Sequence, residues 1–202
     1  MLLLLSTPFS VGKPKPDAWL IVLGGADSAI SASTTRKDLV DRYGDANVKD
    51  QDIDVGEGET EPGTALFPLD RKSSLNILWK DSDKKLSPKS LRISGDASRW
   101  KTIHAITLGT SLIQLERING RPFLLSGFGW DYSGTTLSWK GGVPEKDFEG
   151  SGRVILRLDS NTPAGVTEGE LNQVSGDRPF SSGHPVMQKI NPRVYDVVWL
   201  FP

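Results

Sequence analysis

The sequence predicts an α+β fold in which a few short helices pack on a largely antiparallel sheet. Two observations predict it. Two distant segments share a helix-then-glycine pattern, and most other apolar residues fall in short runs bounded by glycine and polar turn residues. Apolar residues make up 37% of the 202 residues and include six tryptophans and seven phenylalanines. This content is enough to build a core, so global disorder is not expected.

An internal repeat organises the chain. The segment 30–44 is similar to the segment 106–120, and the glycines that end them, Gly44 and Gly120, lie 76 residues apart. In each copy the pattern predicts a short β-strand, then a helix, then a glycine that stops the helix.

Threonine side chains are suited to begin both predicted helices. Thr34 and Thr110 stand where an N-cap belongs, and their oxygens can accept hydrogen bonds from N–H groups of the first turn. The apolar stripe that each helix buries is supplied, at helical spacing, by Leu39 with Tyr43 and by Leu115 with Ile118.

A second pair of matched blocks follows the helices. The segment 56–66 matches 127–137, with three glycines and a leucine at positions 71 residues apart. Trp79 and Trp139, each followed by lysine, are predicted to close corresponding strands in the two copies. Each unit therefore reads as a helix followed by a β-meander.

The matched blocks predict how the chain is divided. We expect a leader at 1–16 and one domain at 17–202, made of two repeats at about 17–95 and 96–202. The two repeats are expected to share one sheet.

The remaining apolar runs predict further strands. These strands are 19–23, 75–79, 154–158 and a last strand in the central sheet at 194–201. The small, polar and acidic segment 160–172 is predicted to be a surface loop.

The leader combines an apolar start at Met1–Leu5 with a proline-rich polar spacer. This order is typical of a truncated export signal, although a frayed tail that begins with leucines has the same composition. We therefore expect a periplasmic or secreted protein. No run approaches the roughly 18 apolar residues that span a bilayer, so the mature chain is not expected to cross a membrane.

Charge and residue content narrow the classes of function. The net charge of −1 lacks the basic footprint that nucleic-acid binding requires. The chain has no cysteine, which removes thiol catalysis and cysteine-ligated zinc.

The acidic segment 50–61 has acids at positions one, three, five and twelve of a calcium loop. However, Val55 stands at position six, where the turn of such a loop requires glycine. Because Ile53 and Val55 alternate with the acids, the segment favours a solvated acidic hairpin over a cation site. The sequence leaves cation binding by this segment open, and no metal site is predicted.

No catalytic set is predicted. The chain has two histidines, His104 and His184, and the segment 181–184 places serines beside the second. Residues adjacent in sequence seldom form a triad, so we interpret 181–184 as a turn. The Gly-x-Gly pairs at 56/58 and 127/129 lack the third glycine and the helix of a dinucleotide loop, which predicts tight hairpins or bulges and no cofactor.

The aromatic residues Phe128, Trp130 and Tyr132 alternate along one segment, so their side chains share one face if it is extended. The matched positions of the first copy hold Glu57, Glu59 and Glu61. A position that accepts glutamate in one copy is not expected to be core, so the row predicts a partly exposed binding surface. The alternative is that the row packs beneath another segment of the chain.

Four phrases carry a resemblance to known proteins: TTRKDLVDRYG at 34–44, LIQLERINGRPF at 112–123, GFGWDYSG at 127–134 and NPRVY at 191–195. They look like a bacterial family of exported proteins of unknown function. The tandem layout is also distantly similar to that of the β-lactamase inhibitor proteins, in which two such units present a concave sheet to a protein partner. Those proteins usually carry a disulfide in each unit, whereas this chain has none.

Three hypotheses of function follow. The first is a non-catalytic module that binds a protein partner in the cell envelope, with Trp130 and Tyr132 as anchors. The second is a hydrolase acting on envelope material through Asp131 with Glu57 or Glu59, if folding brings two carboxylates about 5–9 Å apart. The third is a structural envelope protein without a discrete ligand.

Overall fold

The computed structural model describes residues 18–25, 27–148, 150–159 and 164–202. Over these residues the fold is α+β, as predicted, with short helices and mainly antiparallel strands. The helices are α1 (Arg36–Tyr43), α2 (Leu112–Asn119), α3 (Val143–Phe148), α4 (Glu168–Asn172) and α5 (Pro185–Ile190). The strands are β1 (Val48–Gly56), β2 (Glu59–Leu66), β3 (Leu75–Asp81), β4 (Leu86–Ser94), β5 (Leu124–Ser126), β6 (Thr136–Ser138), β7 (Arg153–Asp159), β8 (Pro179–Ser181) and β9 (Arg193–Leu200).

The strands form two sheets. A six-stranded antiparallel sheet has the order β1-β2-β3-β4-β9-β7, and a three-stranded sheet has the order β6-β5-β8. The last strand, β9, therefore lies inside the larger sheet, between β4 and β7, as its apolar sequence predicts. β6 and β7 are edge strands of different sheets, and an isolated bridge between Thr135 and Arg157 joins the two edges.

The alternation of side chains along β9 determines which face of the sheet is buried. Val197 and Trp199 are fully buried and lie opposite Ile93 and Leu91 of β4 on the core face. Asp196 belongs to the other face, because neighbouring residues of a strand point to opposite sides. Its carboxylate is the one charged group in an otherwise apolar run of the strand.

One cluster of buried apolar side chains includes residues from both halves of the chain. Its largest fully buried members are Trp100 and Trp199. The indole N–H of Trp100 donates to the Ser73 carbonyl at 2.7 Å, so this buried polar group is satisfied. Among the described residues, no helix is both long enough and apolar enough to cross a membrane.

The two repeat helices lie where the sequence predicts them, but each N-cap is one residue later than expected. Thr35 and Ser111 form capping boxes with Asp38 and Gln114, whose side chains accept from the N-cap N–H groups. The predicted caps, Thr34 and Thr110, accept from the N–H groups of Ser31 and Thr107 instead and so close the preceding turns.

The contacts of these two helices correspond between the halves of the chain. α1 and α2 begin 76 residues apart, and Gly44 and Gly120 follow their last residues. Their N-caps form isolated antiparallel bridges with Leu86 and Arg193, which themselves lie 107 residues apart. The helices keep the predicted separation of 76 residues but their bridge partners do not, and the tandem repeat stays a proposal.

The tryptophans predicted to be equivalent do not occupy equivalent strands. Trp79 lies within β3, the third strand after α1, whereas Trp139 follows β6, the second strand after α2. The helix α3 is inserted after Trp139, and the strands β5 and β6 have three residues each, against nine and eight in β1 and β2.

Three local predictions are wrong. Residues 19–23 form no strand, although Ile21 and Leu23 are buried; Leu20 makes a single bridge, with Lys101. The segments 30–33 and 106–109 are turns and extended loops. The predicted loop 160–172 contains α4. The apolar residues of 19–23, 30–33 and 106–109 are explained by burial alone, because a chain can enter the core without joining a β-ladder.

The remaining strand predictions are confirmed. The runs 75–79, 154–158 and 194–201 correspond to β3, β7 and β9, with shifts of one or two residues at their ends. The acidic segment 50–61 forms the β1–β2 hairpin. The predicted leader at 1–16 lies outside the described residues.

Candidate binding surface

The aromatic residues lie in the loop between β5 and β6, here called the aromatic loop (127–134). The chain does not stay extended through it, because Gly129 has a φ of +88° and residues 129–134 form bends and turns. On its N-terminal side, the N–H of Phe128 donates to the Val174 carbonyl at 3.0 Å. The Gly176 N–H donates back to the Phe128 carbonyl at 2.9 Å.

The predicted single exposed row is therefore corrected to a pair. Phe128 is only 4% exposed and belongs to the core, whereas Trp130 is partly buried and Tyr132 is 42% exposed. The alternation rule applies only to extended backbone, and the left-handed Gly129 interrupts it between the first and second aromatic residue.

Trp130 and Tyr132 pack against each other and hold a fixed geometry. Their ring centroids are 5.8 Å apart at an interplanar angle of 66°, an edge-to-face arrangement. The indole N–H of Trp130 donates to the Gly127 carbonyl at 3.0 Å, which ties the ring to its own loop. Both rings therefore make contacts within the chain itself.

Tyr132 also connects the aromatic loop to the first half of the chain. Its hydroxyl donates to Oε1 of Glu57 at 2.5 Å, and this hydrogen bond raises the pKa of the phenol above its usual value. Glu57 lies in the turn of the β1–β2 hairpin with a φ of +57°. The Arg157 guanidinium lies 5.3 Å from the centre of the Tyr132 ring, within the range of a cation–π contact.

A buried carboxylate lies on the same face of the sheet as Arg157. Asp196 has no exposed surface, and its Oδ1 accepts from Nε of Arg92 at 2.9 Å. Nε of Arg157 lies 3.8 Å from Oδ2 of the same residue. Arg92 also donates to the Asp54 carbonyl at 3.2 Å, so its guanidinium reaches the end of β1, next to the turn that carries Glu57.

A groove of about 740 Å³ adjoins the aromatic loop, between the edge strands β6 and β7. Its volume is within the range of about 300–1,000 Å³ that is usual for ligand sites. It is lined by residues 135–139 on one side, by Gly141, Glu145, Lys146 and Gly150 of the connection, and by residues 152–155 on the other side.

The two strands approach closely at one end of the groove and separate at the other. At the closed end a Cβ on Gly134 would lie 2.0 Å from the Leu158 carbonyl oxygen, so only glycine fits there. At the open end the Trp139 carbonyl accepts from Nδ2 of Asn119 at 3.0 Å. This contact directs the end of β6 to α2 and away from β7.

The other candidate residues have structural roles. The segment 181–184 forms the turn between β8 and α5, as predicted, and Nδ1 of His184 caps α5 by accepting from the Val186 N–H. The buried Ser182 donates to Glu116 at 2.5 Å. Among the described residues no group of three or more histidines and carboxylates is placed to hold a metal ion.

Two carboxylates of the hydrolase hypothesis, Asp131 and Glu57, lie in the aromatic loop and in contact with it. The Glu57 carboxylate accepts a hydrogen bond from the Tyr132 hydroxyl, and the charge of the Asp131 carboxylate also helps to raise the pKa of the Tyr132 phenol. Neither the β6/β7 groove nor the concavities at 29–42 and 68–97 are lined by these residues or by Glu59. Hydrolysis stays a prediction that no observation of the structure favours.

Sequence reasoning missed Arg157, the Asp196 cluster and the groove. A single acid within the apolar run of β9 was a readable signal for the cluster. The groove had no comparable signal, because it depends on how far two distant strands separate.

No protein-family model matches the chain, and neither does any curated protein or solved structure.

Proposed function

We propose that this protein is a non-catalytic, exported binding module that recognises a protein partner in the cell envelope. The proposed recognition surface consists of Trp130, Tyr132, Arg157 and Glu57. The observation that carries the proposal is a partly exposed, edge-to-face tryptophan–tyrosine pair with an arginine on the tyrosine ring.

The chemistry of this surface is suited to binding proteins. Tryptophan, tyrosine and arginine are the side chains most enriched among residues that dominate the energy of protein interfaces. Because the rings are already fixed by a hydrogen bond and by each other, little conformational entropy is lost when a partner covers them. Glu57 adds a charged acceptor at the edge of the surface.

The test is a capture experiment with a folded double variant, Trp130→Ala with Tyr132→Ala. Immobilised wild-type protein is expected to retain an envelope protein that the variant does not. The purified partner should then bind the variant at least tenfold more weakly in calorimetric titration, because truncating central aromatic contacts costs about 2–4 kcal/mol.

A matched control distinguishes specific recognition from nonspecific binding to exposed apolar side chains. Leu69 is 99% exposed and lies outside the proposed surface, so Leu69→Ala should bind the partner like wild type. The proposal is wrong if the folded double variant captures and binds the same partner with unchanged affinity. A large fall in melting temperature on truncation would instead return the pair to the core.

A further inference from the structure

The groove between β6 and β7 is a gap in what would otherwise be one continuous antiparallel sheet. The strands are joined at the closed end, where the Leu158 N–H donates to the Gly134 carbonyl at 3.0 Å. Two residues further from the closed end, the Thr136 side chain takes the place of a backbone partner for Leu156. Its hydroxyl accepts from the Leu156 N–H at 3.0 Å and donates to the Leu156 carbonyl at 3.3 Å.

Beyond Leu156 the backbone of β7 faces the groove. Hydrogen-bonding groups of alternate residues point to the same edge of a strand, so the N–H and C=O of Val154 point the same way as those of Leu156. They lie on the edge away from β9, and Val154 is among the residues that line the groove. An edge strand of this kind is a template for a further strand.

The side chains around the groove indicate what an added strand would carry. Leu137 is 50% exposed on one wall, and the partly buried Ile155 lies on the other. Lys146 and Arg153 line the groove and are exposed, while the carboxylate of the third charged residue, Glu145, accepts from the Gly141 N–H at 3.0 Å. The groove therefore offers apolar contacts beside positive charge.

We propose that this groove binds an extended, acidic segment of a partner polypeptide by strand addition. The segment pairs with the backbone of Val154, places apolar side chains against Leu137 and Ile155, and places a carboxylate beside Arg153 and Lys146. The inference rests on the proposed binding function and names the class of partner. Thr135 joins the two sites, because its hydroxyl donates to the Tyr132 carbonyl at the closed end of the groove.

The test is a selection of random twelve-residue peptides on the full-length protein. Enriched peptides are expected to alternate apolar and acidic residues. Synthetic versions should lose at least tenfold in affinity on Arg153→Glu, and also on N-methylation of an amide that pairs with β7. In NMR spectra, hydrogen exchange of the Val154 amide should slow when peptide binds.

Two further variants make the result decisive. Arg71→Glu reverses an exposed charge outside the groove and should bind the peptides like wild type. Leu137→Glu places a negative charge on the opposite wall and should also weaken binding of an acidic peptide. It replaces Arg153→Glu as the test variant if Arg153→Glu does not fold. The inference is overturned if no peptide is enriched, or if peptides bind the groove variants and Arg71→Glu equally.

The double variant of Trp130 and Tyr132 distinguishes the two proposals. Groove peptides that bind it unchanged would leave the strand-addition site standing, even if envelope capture does not depend on the aromatic pair. Capture that depends on the pair, with no peptide bound in the groove, would keep the binding function and overturn this inference alone.

Discussion

Asp196 is the residue whose surroundings most constrain this face of the sheet. A carboxylate without exposed surface lies between two guanidinium groups that keep 29% and 27% of their side-chain surface exposed. An ionised group is expensive to bury unless opposite charges and hydrogen bonds compensate it. Arg92 supplies the hydrogen bond and Arg157 the second positive charge. Arg92 also contacts the end of β1, and Arg157 contacts Tyr132 of the aromatic loop.

We expect Asp196→Asn to lower the free energy of unfolding by about 1–3 kcal/mol, because an amide removes the charge and faces one guanidinium with a donor. Urea unfolding at neutral pH measures the change. Asp52→Asn, at an exposed position of β1, is the matched control and should be close to neutral. Equal urea midpoints for the two variants would contradict the assignment of Asp196 as a structural charge centre.

At the residue scale, the sequence indicated which side chains could bind a partner, but it did not indicate which of them are exposed. The aromatic row was readable, but its single face depended on extended backbone, which the turn at Gly129 removes. The signal for a turn, a run of Asp, Ser and Gly around Tyr132, was also present in the sequence. Arg157 could not be assigned to the surface in advance, because its contact with Tyr132 requires the bridge between β6 and β7.

At the scale of elements, α4 and α5 are held together by one carboxylate. Glu170 closes the capping box of Thr167 at the start of α4. Its Oε1 also accepts from Nζ of Lys189, in the last turn of α5, at 2.7 Å. The Lys189 hydrogen bond first, and the Thr167 backbone N–H second, lower the pKa of Glu170 from 4.5 to about 2.

This pKa shift predicts a pH dependence of stability. A carboxyl whose pKa is lower in the folded than in the unfolded state stabilises the fold above the unfolded pKa. Its contribution is therefore present above about pH 4.5 and is lost as the pH falls through about 2. We expect Glu170→Gln to lose less stability than wild type between these pH values.

The pH dependence is measured by urea unfolding of the variant and wild type from pH 6 down to pH 2. Glu168→Gln, an exposed neighbour in the same helix, should follow the wild-type curve. Parallel curves for wild type and Glu170→Gln across this window would refute the assignment. The Thr-x-x-Glu capping box was readable in the sequence, although the segment that contains it was predicted to be a loop.

Element types were predictable where local chemistry determines them. The helices α1 and α2 follow from an apolar stripe and a glycine stop, and their caps shifted by one residue because two hydroxyl residues stand side by side at each start. β3, β7 and β9 follow from apolar runs. The end of β6 was not predictable, because the Trp139 carbonyl that follows it accepts from Asn119, a residue 20 positions earlier in the chain.

At the scale of the whole molecule, the two halves of the chain pair within the six-stranded sheet along a seam between β4 and β9. β4, the last strand of the first half, pairs with β9, the last strand of the second, over five residue pairs from Ser90 opposite Leu200 to Ser94 opposite Asp196. We propose that the halves arose by duplication, because the two helices begin 76 residues apart and each N-cap bridges to the first residue of the last strand of its half. The pairing of β4 with β9 makes the stability of each half depend on the other half.

Each half would expose apolar surface at this seam if it were alone. Leu91 and Ile93 are buried against Trp199 and Val197, so a fragment that ends near residue 95 loses the strand that covers them. Burying an apolar side chain of this size contributes about 1.5–3 kcal/mol, and a domain is stable by only about 5–15 kcal/mol. Neither half is therefore expected to be stable by itself.

We predict that the full chain unfolds in one cooperative transition and that the fragments 18–95 and 96–202 do not fold separately. Differential scanning calorimetry of the full chain should give a calorimetric enthalpy equal to the van't Hoff enthalpy. NMR spectra of each fragment should show the narrow amide dispersion of unfolded chains. Mixing the fragments offers an internal control, because pairing of β4 with β9 should restore dispersion. Two separate thermal transitions, or a dispersed spectrum from either fragment alone, would show that the repeats are independent folding units and that the seam joins finished domains.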